Sequence, residues 1–236
     1  MLYILVLLLI LLSGLAVIWC IVFCLIHFFR LIKLGKVKEL SQKSGNVTQA
    51  VIYSNTTAML PTQKESAYKH LPTYTAGIIY HIGTFLSLLL FVSAAPFLLW
   101  FFFESHWWIP ACMACFLLVS FSCGLSLFLK RLFSEKLKPF SNSDDYFSNA
   151  IVTLFQLFTA ILFATIAISG SRIFGGEKPL FLKIIENLNV LCYFPTAIIL
   201  FLYLPFGKLK HAVYYFAARY HLGFFYGWRN TWKPKN

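Results

Sequence analysis

Histidine is the residue type in this chain best suited to chemistry, because of where one copy stands. His81 lies within TYTAGIIYHIGTFLSLLLFVSAAP, residues 73 to 96, an uncharged apolar run long enough to cross a bilayer. About 20 apolar residues span the hydrocarbon core, and an ionisable group at that depth is costly unless it is paired or coordinated. A neutral imidazole keeps one lone pair for a metal. A second imidazole, His211, follows LPFGKLK at the end of the last apolar run. Two such groups on different helices can ligate one metal ion from opposite sides.

The elements that must position them follow from hydropathy. The 236 residues are 59% hydrophobic with a mean hydropathy of +0.75, and 12% are charged, against about 25% in an ordinary soluble domain. An integral membrane protein is expected, all-α and a single membrane domain over 1–236. Five runs reach spanning length, at about 2–29, 77–103, 110–129, 150–169 and 188–206. The last contains Pro195, tolerable where neighbouring helices satisfy the freed carbonyl. The runs are far longer than barrel strands, which argues against a β-barrel. A loop at 30–76 and a tail at 207–236 complete the chain.

Basic residues orient the bundle. With the N-terminus outside and the C-terminus cytoplasmic, 17 of the 20 Lys and Arg residues fall inside, leaving Arg172, Lys178 and Lys183 outside, as the positive-inside rule demands. The net charge of +12 then reflects topology and attraction to anionic membrane lipids, and no nucleic-acid partner is expected. The first helix lacks a basic n-region and exceeds a signal-peptide core, so it is expected to stay as an anchor.

In this topology His81 lies about one turn inside the cytoplasmic end of the second helix, and His211 lies at the cytoplasmic end of the fifth. A pair of imidazoles entering one leaflet from two helices is how a bundle holds a b-type haem, each giving one axial nitrogen while the apolar bundle takes the macrocycle. The alternative is that His81 hydrogen-bonds another helix and His211 sits among headgroups. Gly77 and Gly83 flank His81, and either lets a porphyrin approach the backbone or serves an ordinary helix contact.

Three segments, YHIGTFLSLLLF, LFLKRLFSEKL and LFLYLPFGKLKHAVYYFAARY, resemble the cytochrome b (gamma) subunit of respiratory nitrate reductases and the membrane subunit of heterodisulfide reductases. The resemblance covers helices two to five in order and spacing. It implies haem held between helices two and five, with His81 and His211 as the cytoplasm-proximal ligands and Arg131 near the propionates. Arg131 is otherwise a positive-inside anchor beside Lys130. The family's second ligand pair falls on Phe91 and Tyr193, neither a usual haem b ligand, so one haem b is expected, on the cytoplasmic side.

The implied function is a membrane-anchor subunit of a respiratory oxidoreductase in a prokaryotic inner membrane. It would pass electrons between quinone and an iron–sulfur or catalytic partner on the cytoplasmic side, without a catalytic residue of its own. The second hypothesis is a haem-free anchor that docks a soluble redox complex. A transporter would show inverted repeats, which are not apparent.

The remaining candidates carry less. His27 and His70 fall near the cytoplasmic interface, and His106 falls in ESHWWIP beside Glu104 and an aromatic belt of Trp107 and Trp108. His221 lies in the tail, where alternating aromatic and basic residues suit an interfacial helix with Arg219, Arg229 and Lys233 facing phosphates or a soluble subunit. The six cysteines, including Cys112 and Cys115, read as small helix-packing residues. The sequons at Asn46 and Asn55 fall on the cytoplasmic side, out of reach of glycosylation. Asn142, Asp144 and Asp145 suit a helix start just before Tyr146.

Overall fold

The computed structural model describes residues 2–33, 39–60, 63, 69–92, 106–171, 173 and 178–232. Among them are seven α-helices and no strand: α1 (Leu2–Lys33), α2 (Val47–Asn55), α3 (Leu71–Val92), α4 (Trp108–Phe133), α5 (Ser143–Gly170), α6 (Leu180–Tyr203) and α7 (His211–Trp228). Five of these, α1, α3, α4, α5 and α6, are long and apolar enough to cross a membrane. The helices outrun the apolar segments because polar end turns also satisfy backbone groups by staying helical. α6 begins at Leu180 rather than near 188, and α3 begins at Leu71, with Pro72 in its first turn, where a missing N–H costs little. Residues 93–103, expected to end the second span, lie outside the described residues.

The chain divides into two compact units. The first comprises Met1–Cys20 and Thr75–Lys208, and the second comprises Ile21–Tyr74 and Leu209–Asn236. In the first unit α5 is the central helix, with 61% of its apolar window buried against 22% for α4. It packs on α4 and on α6, and Leu90, Ala114, Leu117, Ala160, Phe163 and Ile166 form a core cluster. Its start is fixed by a capping box: the Asn142 side chain accepts from the Asp145 amide at 3.0 Å, and the Asp145 carboxylate accepts from the Asn142 amide at 3.1 Å. Two of the four orphan amides of a helix start are satisfied reciprocally in this way.

In the second unit the long polar loop contributes a helix of its own. Asn46 caps α2 by accepting from the Gln49 amide at 3.1 Å, and α2 lies against α7. The contact is made by Gly223 and Gly227, one turn apart. A Cβ on Gly223 would stand 2.6 Å from the Cα of Val51, and one on Gly227 would stand 2.6 Å from the Cβ of Ala50. Gly223→Leu is therefore expected to part the helices at a cost of about 1–3 kcal/mol, since backbone opposes backbone at this point. Hydrogen–deuterium exchange over residues 47–55 should accelerate, and unchanged protection there would count against this packing.

The tail's arginines turn inward. Arg219 donates through Nε to the Ser54 carbonyl at 2.7 Å, and the Ser54 hydroxyl donates to the Arg219 carbonyl at 2.9 Å. Arg229 pairs with Glu39 at 2.8 Å and lies 3.7 Å over the Phe225 ring, and the Trp228 indole donates to the Ser41 carbonyl at 2.7 Å. These groups close the unit on itself. Lys233 lies outside the described residues.

Glu39 gives this clasp a pH dependence. Desolvation pushes its carboxyl up, but hydrogen bonds from the Ser41 hydroxyl and amide, together with the Arg229 guanidinium, outweigh it and hold the group below its ordinary 4.5. A depressed folded-state value stabilises above the unfolded value and stops doing so as pH falls through the folded one. Trp228 fluorescence should accordingly change below pH 4.5 and lose that transition in Glu39→Gln. A transition that persists in the variant would assign it elsewhere.

Candidate functional site

His81 stands on α3 with its side chain exposed. Its Nδ1 lies 2.6 Å from the carbonyl oxygen of Gly77. A carbonyl can only accept, so Nδ1 carries a proton; in the neutral imidazole this leaves the lone pair on Nε2, the tautomer that metal-ligating histidines adopt when their other nitrogen is hydrogen-bonded.

The neighbours of His81 explain why it faces outward. Tyr80, one position and about 100° away, points into the bundle. Its hydroxyl donates to the Asn149 carbonyl at 3.3 Å, and its ring fills the space beside Gly124, where a Cβ would come within 2.5 Å of it. The Gln156 amide on α5 donates to the Tyr80 carbonyl at 3.0 Å and to the Thr84 hydroxyl at 2.7 Å, while its oxygen accepts from Ser120 of α4 at 3.1 Å. Gln156 and Ser120 are fully buried. Three helices are thus tied at the turn that bears His81, and the rotation of α3 is fixed with the imidazole outside the packed side.

The two flanking glycines do different work. A Cβ on Gly83 would fall 2.0 Å from the Ser120 hydroxyl oxygen and 2.4 Å from its Cβ, so Gly83 is a helix-contact residue. A Cβ on Gly77 would meet nothing within 4 Å. Gly77 and His81, one turn apart, therefore lie along a face of α3 with open space beside it.

Arg131, at the end of α4, pairs with Asp145 at 2.9 Å, and Lys208 pairs with the same carboxylate oxygen. Two cations on one buried carboxylate leave a positive charge over. The guanidinium also retains donors beyond the one used, since its fork offers five. His211 begins α7, in the second unit, with its side chain exposed.

Phe91 and Tyr193, the positions where the resemblance places a second ligand pair, come together. Their rings are 5.6 Å apart in an edge contact, and Phe155 stacks on Tyr193 at 5.5 Å with a 5° interplanar angle. Phe91 also meets Phe201 at 5.2 Å. Aromatic contacts of this kind stabilise beyond their buried area. The two side chains occupy the space between their own helices.

Two of the other histidines have local partners. His27 bonds the Tyr214 hydroxyl through Nδ1 at 2.8 Å within the second unit, and the ring of His221 meets Tyr220. The six cysteines are free thiols. No three His, Cys, Asp or Glu side chains cluster to hold a metal ion among the described residues, whereas a porphyrin iron asks for two ligands at most. Gln156 was missed by reading the sequence, although an amide in the middle of IVTLFQLFTAILF is a signal of interhelical hydrogen bonding. No family model, no curated protein and no solved structure matches this chain.

Proposed function

We propose that the chain is a membrane-anchor, electron-transfer subunit of a respiratory oxidoreductase complex in a prokaryotic inner membrane. Its N-terminus lies outside, and it passes electrons between quinone and an iron–sulfur or catalytic partner on the cytoplasmic side. His81 and His211 would hold one haem b. The observation that carries this reading is the state of His81: an exposed imidazole on an apolar helix, its Nδ1 proton committed to Gly77, its Nε2 lone pair available, and open space beside the glycine one turn away.

When bound, the haem supplies a one-electron carrier whose potential the protein tunes. The chain's own residues do the rest. The Gly77 carbonyl holds the tautomer and orientation of His81. Gln156 and Ser120 hold α3 against rotation, and Arg131, already beside Asp145, offers further donors to a carboxylate. The contact between Phe91 and Tyr193 supports one haem rather than two.

The test is a dithionite-reduced minus oxidised spectrum of the purified protein with haem quantified per chain. About one b-type haem is expected. Two would overturn the single-haem reading. None, in a folded complex, would leave a haem-free structural anchor.

A further inference from the structure

Within the first unit, α1, α3, α5 and α6 line a cavity of about 510 Å³, inside the range of small-molecule sites, which runs from roughly 300 to 1,000 Å³. Its charged lining is gathered toward the start of α6, where Lys178, Glu186 and Asn187 stand. The rest of the wall is mostly apolar, with Ile10 and Val17 of α1 and Leu162 of α5 among its residues. The Ser13 and Thr165 hydroxyls there donate to their own helices, to the Ile10 and Leu162 carbonyls, each at 2.8 Å. The Tyr193 hydroxyl is inaccessible, so that residue offers the cavity only its ring. From Glu186 to Phe194 the cavity follows α6 for about 12 Å, at 1.5 Å per residue.

This division restricts the ligand. The body of the cavity has no donor to spare for a polar molecule, whereas hydrocarbon there would restore dispersion contacts that a void forfeits. Glu186 and Asn187 stand where the apolar run of α6 begins, near residue 188, so the polar end falls at headgroup depth and the body at acyl depth. One leaflet of the hydrocarbon core is about 15 Å deep, close to the length of the cavity. At the polar end, the Lys178 ammonium and the Ser169 hydroxyl both donate to Oε1 of Glu186, at 2.6 and 3.4 Å. Among the described residues none donates to Oε2, and none bonds the exposed Asn187 side chain. The carboxylate oxygen asks for a donor, and the amide can give one to a phosphate. A phosphatidylethanolamine headgroup brings both halves, a primary ammonium and a phosphate. Phosphatidylcholine has no N–H to donate, and phosphatidylglycerol has no cation.

We infer that this cavity holds a phosphatidylethanolamine molecule from the leaflet that meets the start of α6. One acyl chain lies in the apolar body, the ammonium donates to Oε2 of Glu186, and the phosphate lies beside Asn187 and Lys178. The apolar window of α1 is only 17% buried, so an acyl chain against Ile10 and Val17 extends the contact that holds α1 to α5 and α6. The inference requires the helices to stand in a bilayer, and it is independent of haem and of electron transfer.

Gly14 provides the means to test it. It lines the cavity, and a Cβ there would meet nothing within 4 Å, so Gly14→Phe directs a ring into the acyl space. The full chain is placed in phosphatidylcholine nanodiscs doped with phosphatidylethanolamine that carries a diazirine in one acyl chain. After photolysis the labelled peptides are mapped by mass spectrometry. Label is expected to be enriched on residues 10–17 and 186–194 over residues 118–125, a stretch of α4 whose exposed Leu118, Val119 and Leu125 any bilayer lipid can reach. Unlabelled phosphatidylethanolamine should displace the enriched label, and phosphatidylglycerol should not. Gly14→Phe should abolish the enrichment and leave the label on 118–125 unchanged; Gly14→Leu, a smaller filler, should lower it in part and keeps the test decisive if the larger variant misfolds. Glu186→Gln leaves Lys178 uncompensated, so the preference for phosphatidylethanolamine over phosphatidylglycerol should fall about three- to fivefold while the enrichment stays. No enrichment over 118–125 would mean annular lipid only and overturns the inference, as does enrichment unchanged by either Gly14 variant. Equal displacement by the two headgroups, or a preference unmoved in Glu186→Gln, overturns the headgroup assignment. Displacement by decylubiquinone and not by phosphatidylethanolamine gives the cavity to a smaller ring and overturns the lipid.

Discussion

Replacing His81 with alanine is expected to abolish the reduced-minus-oxidised b-type signal while leaving the bundle folded. The side chain is exposed, and its one described hydrogen bond, to Gly77, stays within its own helix. Its removal therefore takes no contact from the core, and surface changes of this kind stay within about 0.5 kcal/mol. Under the proposed function the same change removes one of the two residues that would hold the haem, so haem retention is expected to fail. Gly77→Leu sharpens the test, because a Cβ there meets no protein atom within 4 Å and the carbonyl that orients His81 stays in place. A parent-like melting profile with haem lost in both variants is the expected result. Full haem occupancy in His81→Ala would remove this residue from the site, and full occupancy in Gly77→Leu would mean that the macrocycle lies on another face. His211→Ala should behave as His81→Ala does.

The same substitution six residues further along α3 is expected to do the opposite. Gly83→Leu places a Cβ 2.4 Å from the Ser120 Cβ, an atom fixed to the backbone of α4, so the helices must separate. Overpacking of this kind costs about 1–3 kcal/mol and occasionally more, and the displacement also breaks the bonds among Gln156, Ser120 and Tyr80. Gln156→Leu alone removes three interhelical hydrogen bonds, each worth about 0.6 kcal/mol in a membrane bundle, so a loss of about 2 kcal/mol is expected from that variant. Thermal unfolding in detergent, followed by circular dichroism, would show Gly83→Leu well below Gln156→Leu and both below Gly77→Leu. If Gly83→Leu and Gly77→Leu melted alike, the packing of α3 on α4 would not be the one described.

Much of this was legible in the residues. Hydrocarbon thickness demands a minimum apolar length, so five runs of that length determine five candidate spans whatever packs against them. The start of α5 was legible too, since Asn142 and Asp145 satisfy each other's amides locally. His81 stood out because an ionisable group in an apolar run must be justified by something. Helix ends were less legible, as the early start of α6 shows, because Lys183, Glu186 and Asn187 lower the hydropathy without breaking the helix.

What required the tertiary structure was facing. Gly77 and Gly83 are the same residue type on either side of His81, and sequence offers no ground for separating them; one is opposed by Ser120 and the other by nothing. Arg219 and Arg229 read as charges for phosphates or a partner, yet Arg219 is engaged by Ser54 of α2 and Arg229 by Glu39, each more than 160 positions away. A membrane sorts residues by depth, a one-dimensional property that hydropathy records along the chain. Rotation about a helix axis is set by which neighbour offers a hydrogen bond or a gap, and that depends on residues distant in sequence, as the reach of Gln156 to Tyr80 illustrates.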